Sequence, residues 1–594
     1  MRDHSDSPAA WRGVIVGLLT AWVALGVGQL VAGIGRPQGS PVAAVGSAAI
    51  DHTPPAVKNF AISAFGSHDK TVLVMGILVL LALLSAVIGI AAMRNLRHGY
   101  IGLAIFAVIG LAAALTRPNA VLWDALPTLI GALAGAYALK LLVRAAGGRV
   151  PRKSAPAVRA DAPQPRGTAP LPDFAVPADP ALADPALADP ALADPALADS
   201  PAPDSGPAAG QAPPPGPADP PRPVARARSG PPSGELLRAP WQPGRRSFLA
   251  AGVVALAAGG VGTLGGRTLS ERSSVSTALA RIRFPKAVDP VPPLPGGVDL
   301  GIKGLSSFIT PNSSFYRVDT ALILPQVSPQ SWQLRIHGMV EREITIDFHE
   351  LLKRPLIEDY ITLCCVSNPV AGPYIGNAKW LGASLASLLR EARPRAGAEQ
   401  LICTSVDGFT SGTPIQTVMD GRDALLAVAM NGKPLPVAHG FPARMVVPGL
   451  YGYVSATKWV TDIKVTTFRG ELGYWAQRGW SQQAPIKTES RIDVPLSSVS
   501  AGRTAVAGVA WAQHKGIDAV HVRVNGGPWQ QARLAAVPGI DTWRQWVWEW
   551  DATRGTHTIE SRATDATGYT QTELQEPPEP NGASGYPSIT VSVS

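Results

Sequence analysis

Four apolar runs crowd the N-terminal quarter of the chain: Trp11 to Gly35, Thr71 to Met93, Gly99 to Thr116 and Ala120 to Ala145. Each approaches or exceeds the roughly 20 residues needed to cross bilayer hydrocarbon. Within a bilayer a single segment satisfies its own backbone groups only as a helix. Residues 1–149 are therefore expected to form an α-helical membrane bundle of four spans, the third of which is the shortest. Arg94, Arg97 and His98 lie between the second and third runs, and Lys140, Arg144, Arg149, Arg152 and Lys153 follow the fourth. The positive-inside rule puts both groups and the N-terminus in the cytoplasm, and the loop from Arg36 to Lys70 outside. Basic residues at membrane flanks also account for the net charge of +9. No basic stripe is interleaved with aromatics, so nucleic acid is not an expected partner.

Between 150 and 240 the composition turns to Pro, Ala, Asp and Gly, and ADPALADPALADPALADPALAD repeats a short unit in tandem. Such a tract lacks the apolar surface to offset chain entropy, and its unit is far too short to stack as a solenoid. It is expected to be a disordered cytoplasmic linker. Residues 241–270 follow as GRRSFLAAGVVALAAGGVGTLGG, where Arg245 and Arg246 precede a Gly- and Ala-rich apolar helix. Two arginines there suit either a twin-arginine export signal or the plain basic flank of a fifth span. No A-x-A cleavage site is evident, so the helix is expected to remain.

Beyond a Pro-rich approach, residues 300–485 mix short strands with few helices. SWQLRIHGMV alternates like a half-buried strand, and SLASLLREA has helical spacing, so an α+β domain is expected. Residues 486–594 differ: TAVAGVAWA, AVHVRVNGGPWQQARL, TWRQWVWEW and HTIESRATD alternate at period two, with Asn525-Gly526-Gly527 as a hairpin turn. That spacing of short strands indicates a β-sandwich of immunoglobulin-like type.

The chain has three cysteines, too few for a disulfide framework, and Cys364 and Cys365 are adjacent, where a bridge would be strained. Cys365 ends a β-rich apolar run and precedes Val366-Ser367-Asn368. Far downstream, HGFPARMVVPGLYGYVSATKW supplies His439, Arg444 and Lys458 on turn-rich backbone, a set suited to gripping a large anion. Together these islands resemble the sulfite oxidase family of molybdenum-molybdopterin oxidoreductases. The resemblance covers roughly Phe308 to the C-terminus and implies that cofactor, with Cys365 as its metal ligand. It implies cofactor contacts from Asn312, Phe315, Tyr316 and Arg317 in TPNSSFYRVDT, from Ser405, and from His439, Arg444 and Lys458. Cys364 and Cys403 are expected to be packing residues.

Two departures bear on the substrate. Where sulfite-oxidising relatives have arginines after the asparagine of the cysteine loop, this chain has Pro369 and Val370, and in YWAQRGW it has Trp480 where they have a tyrosine. Losing a cation and a phenol removes groups that would hold a small dianion, so the expected chemistry is oxygen-atom transfer on a substrate other than sulfite, with Cys365 and Trp480 at the reacting centre. A methionine or other sulfoxide reductase-like activity is the alternative in the same fold. A cysteine hydrolase pairing Cys365 with His439, or a non-enzymatic envelope-binding protein, are the readings from other classes. The family resemblance also implies an electron-transfer partner and a homodimer formed through the C-terminal domain. A cofactor inserted before export requires translocation of a folded domain, which tips Arg245-Arg246 toward a twin-arginine signal and names that translocase as a partner. The arrangement resembles polytopic actinobacterial proteins exported by two pathways in succession. The catalytic domain is then expected on the extracytoplasmic side of the cell membrane.

Overall fold

A computed structural model describes residues 10–54, 57, 69–117, 120–147, 245–272, 279 and 282–594. The linker expected over 150–240 lies outside the described residues. The apolar runs are helices: α1 (Ala10–Ile34), α2 (Pro41–His52), α3 (Asp69–Arg94), α4 (Leu96–Leu115), α5 (Leu126–Ala145) and α6 (Arg245–Arg272). Among the described residues, five segments are long and apolar enough to cross a membrane: Ala10–Ile34, Lys70–Arg94, Leu96–Leu115, Leu122–Ala145 and Arg246–Gly266. Helix α2 is a correction, since this segment was expected only as external loop. Its Ala-rich sequence has high helix propensity but is too short to register as a span.

Helix α1 packs against α3, α5 and α6. The approach to α6 is set by glycine: a Cβ at Gly26 would collide with the Gly259 carbonyl, and one at Gly33 with that of Gly266. Small residues let backbones approach closely where lipid supplies no hydrophobic drive for helix association.

The next domain holds two sheets. In one the order is β2 (Ile344–Asp347), β1 (Gln333–Gly338), β10 (Val460–Thr466), β5 (Gln400–Ser405), β6 (Thr410–Pro414), with β1 and β10 parallel. In the other it is β3 (Leu356–Cys364), β4 (Ile375–Ser384), β7 (Leu425–Met430), β8 (Lys433–Pro434), with β9 (Arg444–Val446) also paired to β7. From Ile361 to Cys364 strand β3 is buried on both faces, as expected for a strand inside a covered sheet. Its buried end delivers Cys365 to the site. The expected amphipathic helix is Leu385–Ala392, capped by the Ser384 hydroxyl and burying Leu385, Leu388, Leu389 and Ala392.

At the C-terminus, β11 (Glu489–Val494), β13 (Gly502–Trp511), β17 (Arg544–Ala552) and β16 (Arg533–Leu534) form one sheet. A second runs β12 (Ser498–Val499), β19 (Ser588–Val593), β18 (Gly555–Asp565), β14 (Ile517–Val524), β15 (Gln530–Gln531). Strands from both sheets bury Val506, Val520, Val522, Trp546, Ile559 and Val591 in one core. The β14–β15 turn has Asn525 and Gly526 at φ 52° and 70°, the left-handed pair that a tight hairpin requires. This domain braces β3 from behind: Trp543 N donates to Thr362 Oγ1 (2.8 Å), Gln513 Nε2 to Thr362 O (3.1 Å), and Arg491 Nη1 to Gly372 O in the loop after Cys365 (3.0 Å).

Candidate active site

Cys365 begins a tight loop. Its backbone N donates to Tyr374 O (2.9 Å), and Tyr374 N donates to Asn368 Oδ1 (2.8 Å), so the asparagine sets the loop's shape. Cys365 lines a cavity of about 120 Å³, whereas Cys364 is wholly buried in the hydrophobic core. Burial raises the Cys365 thiol above its ordinary pKa, opposed by the Ser367 N–H and hydroxyl and by Lys458, which favour thiolate. Cys403 is wholly buried on β5, as expected of a packing residue.

Seven of the ten residues singled out from sequence line this one cavity: Phe315, Tyr316, Cys365, Ser405, Arg444, Lys458 and Trp480. The other three stand behind its wall. His439 Nε2 lies 3.1 Å from the Asn312 carbonyl, which can only accept, so the ring proton sits on Nε2. His439 also meets the Phe315 ring edge to face at 5.6 Å. Burial, then the Arg444 and Lys458 charges, lower its pKa to about 4, so it is a neutral positioning group. The Asn312 amide is held by Met430 O (3.2 Å) and Asn431 Nδ2 (2.7 Å) rather than pointing polar atoms at the cavity. Arg317 is turned outward, with Nε 2.9 Å from Asp319 Oδ2. Neither side chain lines the cavity: Asn312 is held by Met430 and Asn431 at the end of β7, and Arg317 by Asp319.

Arg444 is the most informative group. Its guanidinium is buried, donates to His439 O (3.1 Å), Ala456 O (3.2 Å) and Met445 O (3.3 Å), and lies 5.1 Å from the centre of the Trp380 ring. Among the described residues no carboxylate forms an ion pair with it. A buried cation without a counter-charge is costly, and burial lowers its pKa to about 10. Lys458 stands beside it, lowered to about 8 by burial against the pull of Asp319, which it meets at 3.0 Å. Gly440 makes this closeness possible: at φ 108°, a Cβ there would lie 3.0 Å from the Cβ atoms of both Arg444 and Lys458. A buried thiol and two buried cations, one lacking a carboxylate, fit a metal bound to a large anionic cofactor.

Sequence reasoning missed several wall residues. Asp319 is buried and gathers Lys458, Arg317 and Lys70, the last at 2.7 Å, and these cations hold its carboxyl far below the usual range. Tyr453, Trp475 and Asp407 also line the cavity. Asp319 sat in the quoted segment YRVDT, four residues after Phe315, so proximity was the available signal. Trp480, the residue read as standing in place of a tyrosine, lines the cavity together with Tyr316 and Tyr453. Pro369 and Val370 do not line it. The hydrolase pairing is disfavoured, since His439 donates its ring proton to Asn312 and no hydrogen bond joins it to Cys365.

Residues 321–475 match the family profile of the oxidoreductase molybdopterin binding domain. Sulfite oxidase of Gallus gallus is 31% identical over 296 residues, covering 41% of this chain and 63% of that protein. Mitochondrial sulfite oxidase of Rattus norvegicus is 28% identical over 289 residues, covering 41% and 52% respectively. The chain thus spans about half to two thirds of the length of these curated relatives. The uncharacterized oxidoreductase YuiH of Bacillus subtilis is 30% identical over 149 residues, covering 25% of this chain and 72% of that protein. Among solved structures, the sulfane dehydrogenase SoxCD of Paracoccus pantotrophus aligns with 53% of this chain and 96% of its own, at 22% identity and a TM-score of 0.43. The fold and site define an oxidoreductase built to hold molybdopterin. The chain belongs to the sulfite oxidase family of molybdopterin-dependent oxidoreductases, and its cofactor is molybdenum-molybdopterin.

Proposed function

We propose that the protein is a membrane-anchored oxygen-atom-transfer enzyme acting outside the cytoplasm on a neutral sulfur compound of the thioether or sulfoxide type. The observation that supports this reading is the composition of the Cys365 cavity. Its cations, Arg444 and Lys458, are those suited to the cofactor's phosphate, and the rest of its wall includes Phe409, Tyr453, Trp475 and Trp480. An aromatic wall with no further cation favours an uncharged substrate over a small dianion.

The cofactor, when bound, supplies two-electron redox chemistry with transfer of an oxygen atom. Cys365 would ligate its metal through sulfur, Arg444 and Lys458 would engage its anionic end, and Phe315, Tyr316 and Ser405 would contact its body. Asn312 and His439 fix the wall behind them. Trp480, held edge to face by Trp475 at 6.0 Å and Tyr453 at 5.9 Å, orients the substrate and excludes water. The Tyr453 hydroxyl donates to Ser481 O at 2.5 Å, which fixes its ring as part of that wall.

The same reading divides the chain into a membrane region (1–149), a cytoplasmic linker (150–240), an Arg245-Arg246 signal with a retained fifth span (241–270), a cofactor domain (300–485) and an immunoglobulin-like domain (486–594) through which two copies pair. Metal analysis of the purified protein, followed by assays with sulfite and with aryl and methionine sulfoxides, tests it. Molybdenum with turnover of sulfoxides and not of sulfite is expected. Preferential turnover of sulfite would overturn the substrate reading, and absence of molybdenum would leave the envelope-binding alternative.

A further inference from the structure

We infer that a second cavity, between the membrane helices and the cofactor domain, docks a lipid-soluble quinone as the two-electron partner of the active site. The inference rests on the oxidoreductase reading above. The cavity encloses about 320 Å³, within the range of small-molecule sites. One wall comes from α2, through Ala43, Ser47 and Ile50, and from Arg117 just beyond α4. The opposite wall includes Leu322, Ile323 and Leu472 of the cofactor domain.

Three features favour a quinone. First, Arg117 of the lining lies just beyond the end of α4, and Lys70 at the start of α3 bonds Ala321 of the wall, so the cavity lies at the boundary of these spanning segments, where a lipid-borne carrier arrives. Second, Thr320, Asp407 and Phe409 line both this cavity and the Cys365 cavity, so a single layer of side chains separates the two. Third, the lining is mixed: apolar side chains suit a substituted ring, while Arg117, Gln477 and Arg478, beside Asp51, Asp407 and Glu471, form a polar end for its oxygens, with Gln477 Nε2 donating to Leu472 O and Arg478 Nη1 to Tyr474 O at 2.7 Å each. The two sides are also tied together. Lys70 at the start of α3 reaches Asp319 at 2.7 Å and Ala321 O at 2.9 Å, and Tyr474 Oη donates to Asp51 Oδ1 at 3.0 Å.

The stoichiometry closes. A thioether plus water and quinone gives sulfoxide and hydroquinone: the sulfur gains the water oxygen, and the quinone takes up the two electrons and two protons. The reverse, sulfoxide plus hydroquinone, returns thioether, water and quinone.

The test uses the full-length holoenzyme in lipid nanodiscs with an azido-benzoquinone photolabel, competition by unlabelled decylbenzoquinone, and peptide mapping. Saturable labelling of 41–52 and 471–478 is expected, with Ile50→Trp lowering it by about tenfold, a difference of about 1.4 kcal/mol in binding. Turnover with ferricyanide, a soluble acceptor, should be unchanged. Ser47→Phe serves as a second block of the same cavity should Ile50→Trp fail to fold. Labelling that does not saturate, spreads along the outer faces of α3 and α4, or survives both substitutions would overturn the site. Saturable labelling in an enzyme that turns over no sulfur substrate with ferricyanide would instead count against the oxidoreductase reading and leave the quinone site standing.

Discussion

Cys364 ends β3 and Cys365 begins the loop after it, so that one side chain is buried in the core and the other lines the cavity. Cys365→Ser is therefore expected to abolish turnover and remove the charge-transfer bands of a metal thiolate, while Cys364→Ser retains both. Equal losses, measured by visible absorption and initial rates, would contradict the assignment. Arg444→Ala removes the buried guanidinium that has no carboxylate partner, so cofactor occupancy should fall more than substrate affinity changes. A fully loaded variant with only a raised KM would argue against a phosphate partner. The HGFPAR and CVSN motifs made Cys365, His439 and Arg444 legible, because their spacing is local. Asp319 and Tyr453 were not, because their role arises only when Lys70, Lys458 and Trp480 arrive from distant parts of the chain.

Among the elements, β11 carries an unusual group. Glu489 is buried with its Oε1 lacking a hydrogen-bond partner, and burial pushes its pKa up to about 8, with Lys487 opposing. A carboxyl whose folded pKa is raised binds its proton more tightly in the folded state. Its contribution is thus fully present below the unfolded pKa of 4.5 and lost as pH rises through about 8. The loss is at most about 5 kcal/mol at 1.36 kcal/mol per pKa unit. Glu489→Gln should flatten denaturant stability between those pH values and raise it at alkaline pH; an unchanged slope would show that the site stays hydrated. The strands around it followed from period-two alternation. Helix α2 did not follow from any apolar run, since Ala43, Ala44 and Gly46 contribute close packing rather than hydropathy.

At the scale of the whole molecule, the close glycine contacts of α1 with α6 fit a fifth helix that joins the bundle after the linker. On the proposed extracytoplasmic placement the order of events matters, because a cofactor inserted in the cytoplasm would have to cross with the domain already folded around it. Helix α6 opens at Arg245, so the arginine pair stands at its N-terminal end. Replacing Arg245 and Arg246 together by lysine preserves the flank's charge, so the positive-inside rule alone forecasts no change. A twin-arginine signal forecasts a split product, with α1 and α3 to α5 inserted and the C-terminal domains left on the cytoplasmic side. The Pro/Ala-rich composition of 150–240 is that of a tether that would not force α6 to insert with the others. Protease treatment of intact spheroplasts decides between them: protection of the cofactor domain in the double-lysine variant, with digestion in the unmodified protein, is expected. Equal digestion of both would reduce the arginine pair to an ordinary basic flank.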